Sequence, residues 1–352
     1  MTNPKLRTPY TSPNASRMKL VIPMAGRGTR VRPHSHVTPK PLLPVRGKSM
    51  VERIVDTFNR VLPKKLDAGV FVLGPDFGQE VRDQLTEICE RHGMTAHFGV
   101  QEKAEGTAHA VYCAGDHLEG EGITVFADTL FDMDPLDELT SADVIAWVKH
   151  VEDPSRFGVA VREGDKVVEL VEKPQTLISN EALIGIYYVK DLGALRQEIQ
   201  HLIDHDVRGA GGEFQLTDAF DRMIKNDAVF KTATVTEWLD CGTIPALLDT
   251  TKFILTKEND SLHQGDVEAS VIFDPVYIGP GAIVTGSVVG PNVSIEAGAR
   301  INSAVVRNTI LFQNARVENA VLDDSLVGQY GEVRPRPSVV NVGDHSVLGE
   351  RE

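Results

Sequence analysis

The chain has 352 residues, of which 41% are hydrophobic, and its 36 basic and 50 acidic residues give a net charge of −14. This length favours two domains with a substantial core, and the acidity argues against a nucleic-acid-binding surface. The three cysteines lie too far apart for a metal site, and no apolar run approaches the roughly 18 residues of a membrane span. We therefore expect a cytoplasmic protein with reduced thiols that binds neither nucleic acid nor membrane.

The sequence divides into three parts by its patterning. Residues 1–17 are polar and contain prolines but no apolar signal-peptide core, which predicts a disordered tail. Residues 18–258 alternate apolar strand-like runs with helical periodicity, which predicts an α/β domain with a Rossmann-like, mainly parallel sheet. Ligands of such sheets bind beyond the carboxyl ends of the strands, and Arg27, Gln101 and Asp128 each follow a predicted strand. We expect these three residues to face one crevice.

The loop after the first predicted strand spans residues 25–30 and reads AGRGTR. Its two glycines let backbone N–H groups approach a ligand closely, and phosphate is the usual occupant of such a turn. Lys40, between two prolines, adds a third cation to those of the loop. The loop is not a Rossmann fingerprint, because Val31 occupies the third glycine position, and it is not a Walker motif. It predicts a binding site for a polyphosphate.

From about residue 267 onward, aliphatic residues recur every six positions, as in the series Ile283, Val289, Ile295 and Ile301. Hexapeptide periodicity is typical of a parallel β-helix, in which each coil stacks its aliphatic residues on the next coil. About four to five coils fit into residues 259–352, which we predict to form a separate β-helix domain. Exposed aliphatic columns and open coil ends favour a homo-oligomer.

The whole set of motifs resembles the sugar-1-phosphate nucleotidyltransferase (NDP-sugar pyrophosphorylase) family. The loop looks like that family's G-x-G-T-R signature, and the PKPLLP stretch around Lys40 looks like its P-K-P-L-[LI]-P signature. The resemblance covers about residues 19–255, and a left-handed β-helix is often appended to this family. It implies an enzyme of the EC 2.7.7 class that joins a nucleoside triphosphate to a sugar 1-phosphate and releases pyrophosphate.

The catalytic and metal-binding residues follow from this resemblance. Asp128 resembles the aspartate of the family's G-D motif, with Ala127 in place of the usual glycine, and Asp240 resembles that of W-x-D-x-G-T. Because the reaction brings two anions together, the site needs a cation, typically Mg²⁺ held by carboxylates. The resemblance implies direct attack on the α-phosphorus, with Asp128 and Asp240 as metal ligands. The implied catalytic residues are Arg30, Lys40 and Asp128.

Base recognition is expected at Gln101 and Gly106. A side-chain amide both donates and accepts, so it can pair with the imide edge of uracil or thymine. The Q-x4-G pattern resembles the pyrimidine-using members, whereas guanylyltransferases more often show G-T-A-G, where this chain has His109. We expect His109 at a helix surface and UTP or dTTP as substrate, with a GTP-dependent mannose-1-phosphate guanylyltransferase as the alternative. The implied nucleotide-binding residues are Ala25, Gly26, Arg27, Gly28, Thr29, Gln101, Gly106 and Thr107.

Three further motifs resemble those with which the family binds the sugar phosphate, and we expect glucose 1-phosphate as this substrate. These are an R-F-G-V turn, an E-K-P tripeptide and a G-x-Y-x strand. Two alternative functions compete with this interpretation. The first is an acyltransferase in the β-helix, either alone or in addition to nucleotidyl transfer, and the second is a catalytically inactive regulatory subunit. Only His345 follows His263, which argues against the acyltransferase, and the full set of catalytic residues argues against the regulatory subunit. The implied sugar-phosphate-binding residues are Gly158, Glu172, Lys173 and Tyr187.

Overall fold

The computed structural model describes residues 18–26, 28–136, 139, 141–258, 263–336 and 342. The chain divides into two compact units. The first comprises the chain up to Leu43 together with Lys48–Ala246, and the second comprises Pro44–Gly47 together with the chain from Leu247 onward. The predicted disordered tail, Arg27 and His345 lie outside the described residues. The predicted domain boundary after residue 258 stays a prediction.

Strands and helices alternate before the repeats, as the apolar patterning predicts. The strands are β1 (Met18–Pro23), β2 (Pro44–Val45), β3 (Lys48–Ser49), β4 (Leu66–Leu73), β5 (Thr95–Val100), β6 (Gly122–Val125), β7 (Thr129–Asp132), β8 (Val144–His150), β9 (Gly158–Glu163), β10 (Lys166–Glu172), β11 (Glu181–Val189), β12 (Phe230–Thr234) and β13 (Glu237–Asp240). The helices are α1 (Met50–Val61), α2 (Gln79–Arg91), α3 (Thr107–Tyr112), α4 (Leu192–Asp204), α5 (Leu216–Lys225) and α6 (Ile244–Lys257).

The first unit is built on a nine-stranded mixed sheet, which confirms the predicted α/β class. Strands β6, β1, β4 and β5 lie side by side in that order and run parallel. Strand β11 continues the sheet antiparallel to β6, and β8 and β9 pair with β11. The central strands are almost wholly buried, which is why they read as continuous apolar runs rather than alternating ones.

Local sequence explains where the helices begin. Ser49 caps α1 by accepting a hydrogen bond from the backbone N–H of Glu52, at 3.2 Å, and the apolar positions of α1 are buried as its periodicity predicts. Asp191 caps α4 by accepting from the N–H groups of Gly193 and Ala194. No described helix is long and apolar enough to cross a membrane.

The parallel strands end together, and this positions the candidate site. Met24 follows β1 and donates its N–H to Val72 of β4, at 2.7 Å. Gln101 follows β5 and donates its N–H to Leu73, at 2.9 Å. The loops after β1, β5 and β6 therefore lie at the same edge of the sheet, as expected for the carboxyl ends of adjacent parallel strands.

The second unit contains three stacks of short parallel strands, which confirms the predicted β-helix. One stack has five strands and the other two have four each, so the described part holds four to five coils. The strands are β14 (Asp266–Glu268), β15 (Val271–Ile272), β16 (Val276–Ile278), β17 (Ile283–Thr285), β18 (Val288–Val289), β19 (Val293–Ile295), β20 (Arg300–Asn302), β21 (Val305–Val306), β22 (Ile310–Leu311), β23 (Arg316–Glu318), β24 (Val321–Leu322), β25 (Leu326–Val327) and β26 (Glu332–Val333).

The coils of this β-helix are shorter than three hexapeptides. Asp266 pairs with Ile283 and Ile283 with Arg300, a spacing of 17, and Arg300 pairs with Arg316 and Arg316 with Glu332, a spacing of 16. A strict six-residue series therefore drifts out of phase with the core. As a result, some of the residues that a six-residue count selects lie outside the inner column.

The inner column contains small and branched aliphatic side chains that are almost fully buried, such as Ile295 and Ile301. Two further six-residue series of the sequence, one from Val293 to Val317 and one from Val321 to Val333, predict Val305 and Val321 in the core. These two valines instead lie outside, with 41% and 78% of their surface exposed. The β-helix is therefore as predicted, whereas the placement of these two valines in its core is wrong.

Candidate active site

The loop after β1 folds back onto the segment that carries Lys40. Gly28 has φ +53, and a Cβ atom added there would lie 3.1 Å from the Cβ of Lys40 and 3.2 Å from that of Ser35. The Ser35 hydroxyl donates to the carbonyl of Gly28, at 2.7 Å. A glycine is therefore needed at position 28. At Gly26, by contrast, an added Cβ would meet nothing within 4 Å, so this part of the loop is open.

The predicted nucleotide-loop residues flank this turn. Ala25 is partly exposed, Gly26 and Thr29 are exposed, and Arg27 lies outside the described residues. Arg30 is exposed in the short 3-10 turn Thr29–Val31. An exposed backbone turn with an arginine at its end can receive a phosphate without displacing packed side chains.

Lys40 is buried at the base of this loop and lies near acidic groups. Its side chain is 9% exposed, and its Nζ lies 4.0 Å from Oδ2 of Asp128. Burial lowers the pKa of Lys40, while the nearby Asp128, Cys241 and Asp240 raise it and Arg30 lowers it. The structure thus brings Lys40, Asp128, Asp240 and Arg30 into one electrostatic neighbourhood.

Asp128 and Asp240 come together through the pairing of β7 with β13. In this antiparallel ladder Asp240 lies opposite Thr129, and the N–H of Cys241 donates to the carbonyl of Asp128, at 3.0 Å. The N–H of Gly242 donates to Oδ1 of Asp240, at 2.6 Å, and so orients that carboxylate. Two aspartates from distant parts of the sequence therefore end the same two-stranded ladder.

The donor set of this ladder end suits Mg²⁺. Within the described ranges there is no cluster of three or more His, Cys, Asp or Glu side chains that could enclose a metal ion. Mg²⁺ commonly binds to one or two carboxylates and keeps water and substrate phosphate as its other ligands. Asp128 is 53% exposed, and its exposure leaves room for such ligands. Asp128 and Asp240 are the residues that would hold the ion.

The expected base-binding residues lie together at the start of α3. Gln101 is buried, and its Nε2 donates to the carbonyl of Gly106, at 3.2 Å. Gly106 has φ +118, and an added Cβ would lie 2.4 Å from the carbonyl oxygen of Phe214. The Thr107 hydroxyl donates to Oε1 of Gln215, at 3.1 Å, and accepts from the N–H of Leu216, at 2.9 Å. Thr107 therefore connects the expected base-binding residues to the start of α5.

His109 differs from the sequence expectation. Its side chain is only 18% exposed, and its Nδ1 lies 3.0 Å from Nε2 of Gln101. The expected surface position is therefore wrong. The spacing of eight residues between Gln101 and His109 gave no signal of this contact, because the turn at Gly106 reverses the chain between them.

The sugar-phosphate residues gather at the end of the β9–β10 ladder. Glu172 pairs with Gly158, and its Oε2 accepts from the Thr217 hydroxyl, at 2.9 Å. Tyr187 is fully buried nearby, and burial together with the charge of Glu172 raises its pKa. Lys173 is 53% exposed, with its Nζ 3.7 Å from Oε1 of Glu172. Thr217, which belongs to an E-x-x-L-T-D stretch, is a contact of Glu172 that the sequence-based site did not include.

Two aromatic residues link the sugar-phosphate segment to the aspartate ladder. Phe157 directly precedes Gly158, and Trp238 lies in β13 two residues before Asp240. Their rings meet edge to face, with centroids 5.3 Å apart. The indole N–H of Trp238 is buried without a hydrogen-bond partner in the part of the chain that the structure describes.

Comparison with known proteins points to one family. The family model for nucleotidyl transferases matches residues 19–257, and a model for GlmU-like C-terminal hexapeptide repeats matches residues 258–317. The bifunctional protein GlmU of Methanocaldococcus jannaschii is 27% identical over 335 residues, covering 89% of this chain and 78% of the relative. The glucose-1-phosphate thymidylyltransferase of Streptomyces antibioticus is 28% identical over 329 residues, covering 88% of this chain and 87% of the relative.

A solved structure supports the fold. The UDP-glucose pyrophosphorylase structure complexed with UDP-glucose superposes with a TM-score of 0.55 at 21% identity. The match covers 68% of this chain and 99% of that structure.

Proposed function

This chain belongs to the nucleotidyl transferase family and is a sugar-1-phosphate nucleotidyltransferase, and from that premise we propose that it uses UTP or dTTP together with glucose 1-phosphate. The products are the nucleoside diphosphate sugar and pyrophosphate. The name of the Streptomyces relative, a glucose-1-phosphate thymidylyltransferase, supports this choice of substrates.

One observation carries the proposal. Lys40 and Asp128 approach to 4.0 Å at the same edge of the sheet to which the β7–β13 ladder brings Asp240. A buried cation beside two carboxylates matches the charges needed to bring a triphosphate and a sugar phosphate together. Lys40 would contact phosphate oxygens directly, and Asp128 and Asp240 would hold a divalent cation that supplies further positive charge.

The chemistry is a single displacement at phosphorus. An oxygen of the sugar phosphate bonds to the α-phosphorus, the bond from this phosphorus to the bridging oxygen of the β-phosphate breaks, and pyrophosphate leaves with that electron pair. Lys40 and Arg30 stabilise the negative charge that builds up on the phosphate oxygens. Asp128 and Asp240 would hold Mg²⁺, which would supply further positive charge against these oxygens.

The remaining residues orient the two substrates. Gln101 and the backbone at Gly106 contact the base, and the open loop at Gly26 receives the phosphates. Glu172, fixed by Thr217, accepts hydrogen bonds from sugar hydroxyls, and Lys173 holds the sugar phosphate. Orientation of both reactants contributes to the rate because it removes the entropy cost of bringing them together.

A substrate panel tests the proposal. The full chain is incubated with glucose 1-phosphate or mannose 1-phosphate, with each of UTP, dTTP, CTP, GTP and ATP, and pyrophosphate release is measured with Mg²⁺ or with EDTA. We expect the highest kcat/KM for UTP or dTTP with glucose 1-phosphate, and no release with EDTA. A highest value for GTP with mannose 1-phosphate would replace this function by a guanylyltransferase.

We also propose that the chain forms a homo-oligomer through the valine strip, which we define as Val271, Val288, Val305 and Val321. These valines are register partners on consecutive coils, so they form one continuous line. Each is exposed, from 36% for Val288 to 78% for Val321. A second copy presents the same strip, and two identical aliphatic lines are complementary about a two-fold axis.

Light scattering tests the oligomer. Replacing Val305 and Val321 with lysine should lower the solution mass to that of the monomer, because two like charges per strip would face each other. Val267→Lys, at a valine of the β-helix that is 40% exposed outside the strip, is the matched control and should keep the mass. An unchanged mass in the double variant would locate the interface elsewhere.

A further inference from the structure

The Gln101 amide is held by two acceptors at once. Its Nε2 donates to the carbonyl of Gly106, at 3.2 Å, and lies 3.0 Å from Nδ1 of His109. An amide NH₂ group has two hydrogens and no lone pair that accepts hydrogen bonds. Both hydrogens of Gln101 are therefore committed to protein atoms, and the atom left for a ligand is the oxygen Oε1.

This arrangement fixes the tautomer of His109. Because the amide can only donate, Nδ1 of His109 must accept, so the ring proton resides on Nε2. Nε2 lies 3.6 Å from Oε2 of Glu105 and 3.8 Å from Sγ of Cys113. The negative charge of Glu105 favours a proton on the side of the ring that faces it. Glu105 thus favours the tautomer that the Gln101 amide requires.

Burial makes the arrangement rigid. Gln101 is 6% exposed and His109 is 18% exposed. Rotating the Gln101 amide by 180° would place Oε1 against the carbonyl oxygen of Gly106 and against the lone pair of His109 Nδ1. Each of these contacts would then join two hydrogen-bond acceptors. A buried polar group without its hydrogen bond is costly, so the turned amide is strongly disfavoured.

We propose that His109 is a specificity-determining positioning residue, which holds the Gln101 amide with its oxygen toward the base so that the site selects bases with a ring N–H. The N3–H of uracil and thymine donates to this oxygen, whereas cytosine presents the bare N3 and two acceptors would meet. The inference rests on the proposed function, because it concerns the base slot of that reaction. It also restricts the role of Gln101, which offers the base an acceptor and no donor.

The proposal separates two kinds of base discrimination. Guanine also carries a ring N–H, at N1, so the amide orientation does not reject it, and its exclusion depends on the size of the slot. Loss of His109 should therefore change the preference for UTP over CTP and leave the preference for UTP over GTP unchanged. A general loosening of α3 would change both preferences together.

The test compares His109 variants of the full chain by their kcat/KM values for UTP, CTP and GTP. His109→Leu keeps the bulk and removes the acceptor, so the amide can turn toward cytosine, and the UTP-to-CTP ratio should fall about tenfold. His109→Asn supplies an oxygen acceptor near the position of Nδ1 and should keep the ratio within about threefold of the unmodified enzyme. His150→Ala, at the exposed end of β8, is the control and should leave all three values unchanged. If the leucine variant does not fold, His109→Ala provides the same comparison.

The outcomes are distinguishable. A retained UTP-to-CTP ratio in folded His109→Leu would overturn the inference while leaving the proposed function intact. An equal fall of the UTP-to-CTP and UTP-to-GTP ratios would overturn it as well, since it would show a structural effect. Preference of the unmodified enzyme for GTP would instead overturn the proposed function, and this inference with it.

Discussion

In the first unit several polar contacts of the candidate site join segments far apart in sequence, whereas in the second unit each strand pairs with the strand one coil later. The Thr217 hydroxyl reaches Glu172 across 45 residues, and the N–H of Leu216 reaches the Thr107 hydroxyl across 109 residues. The β-helix partners are 16 or 17 residues apart throughout, as for Arg300 and Arg316. These parts of the candidate site depend on single long-range contacts, and the β-helix depends on many similar local ones.

This difference predicts how each unit responds to a substitution. A side chain of the active site has one position and one task, so its loss should affect the rate far more than the stability. An aliphatic residue of the inner column has no task besides packing, so its loss should affect stability and leave chemistry unchanged. Substitutions at three places test this contrast, and their effects are expected to differ in size.

The largest effect is expected at the aspartate ladder. Asp128→Asn or Asp240→Asn removes the charge that would hold Mg²⁺ and keeps the side-chain volume, so kcat/KM should fall by roughly 10²–10³. The melting temperature should change little, because Asp128 is largely exposed. Pyrophosphate release and thermal unfolding are measured on the same preparations. Asp323→Asn, on the outer surface of the β-helix, is the control and should leave the rate unchanged.

A rate within a factor of about two of the unmodified enzyme for both variants would contradict the metal assignment. A large fall for only one of them would restrict metal binding to that aspartate. A fall accompanied by unfolding would instead place the aspartates among the structural residues and would break the contrast between the units.

An intermediate effect, on stability alone, is expected in the inner column. Ile301 is 1% exposed, and Ile301→Ala removes buried methyl groups and leaves a cavity between coils, at a cost of about 2–4 kcal/mol. Arg300→Ala, one residue away in β20 on the exposed side, should change the free energy of unfolding by less than about 0.5 kcal/mol. Calorimetry measures both, and the initial rate per folded molecule should match the unmodified enzyme. A lower rate in folded Ile301→Ala would show that the column affects the chemistry.

Several features of the fold could be predicted from sequence because their causes are local. Ser49 caps α1, and the apolar spacing of that helix matches its buried face. Gln101 and Asp128 each follow an apolar run, and parallel strands bring their ends together without any information beyond the strand pattern. The column of the β-helix also follows from its repeat.

Other features could not be predicted because they depend on which distant segments pair. The β7–β13 ladder consists of two four-residue strands, too short for a sequence pattern to identify as partners. The contact of Gln101 with His109 requires the turn at Gly106, whose geometry depends on packing against Phe214. In the β-helix, the step from the buried Ile301 to the buried Val306 is five residues rather than six, so a six-residue count from Ala299 places Val305 inside although it lies outside.

The smallest effect is expected at Asp218. This carboxylate lies near the candidate site, but we expect its substitution to change the stability of the protein. Burial raises its pKa, as do the neighbouring carboxylates of Glu172 and Asp221, while Lys225 lowers it. A raised pKa in the folded state means that the charged form is disfavoured there relative to the unfolded chain, whose pKa is near 3.8. This unfavourable contribution to the free energy of folding is present in full above the folded-state pKa of Asp218. It disappears as the pH falls through that pKa toward 3.8. Asp218→Asn removes it and should raise the free energy of unfolding at pH 7 by under about 1 kcal/mol.

The pH dependence identifies the cause of this gain. Denaturant unfolding of both proteins at pH 7 and at successively lower pH should show a difference that shrinks toward zero as Asp218 becomes protonated, since a neutral carboxyl and an amide then carry the same charge. A difference that stays constant with pH would indicate a packing effect of the amide beside Gly209, where the Asp218 carboxylate occupies the space that an added Cβ would need. A destabilised Asp218→Asn at pH 7 would show that the carboxylate makes a favourable contact in the folded state. The charge of Asp218 would then be stabilised by partners distant in sequence, as at the other active-site residues. The two units would in that case differ in how substitutions affect stability as well as in how they affect the rate.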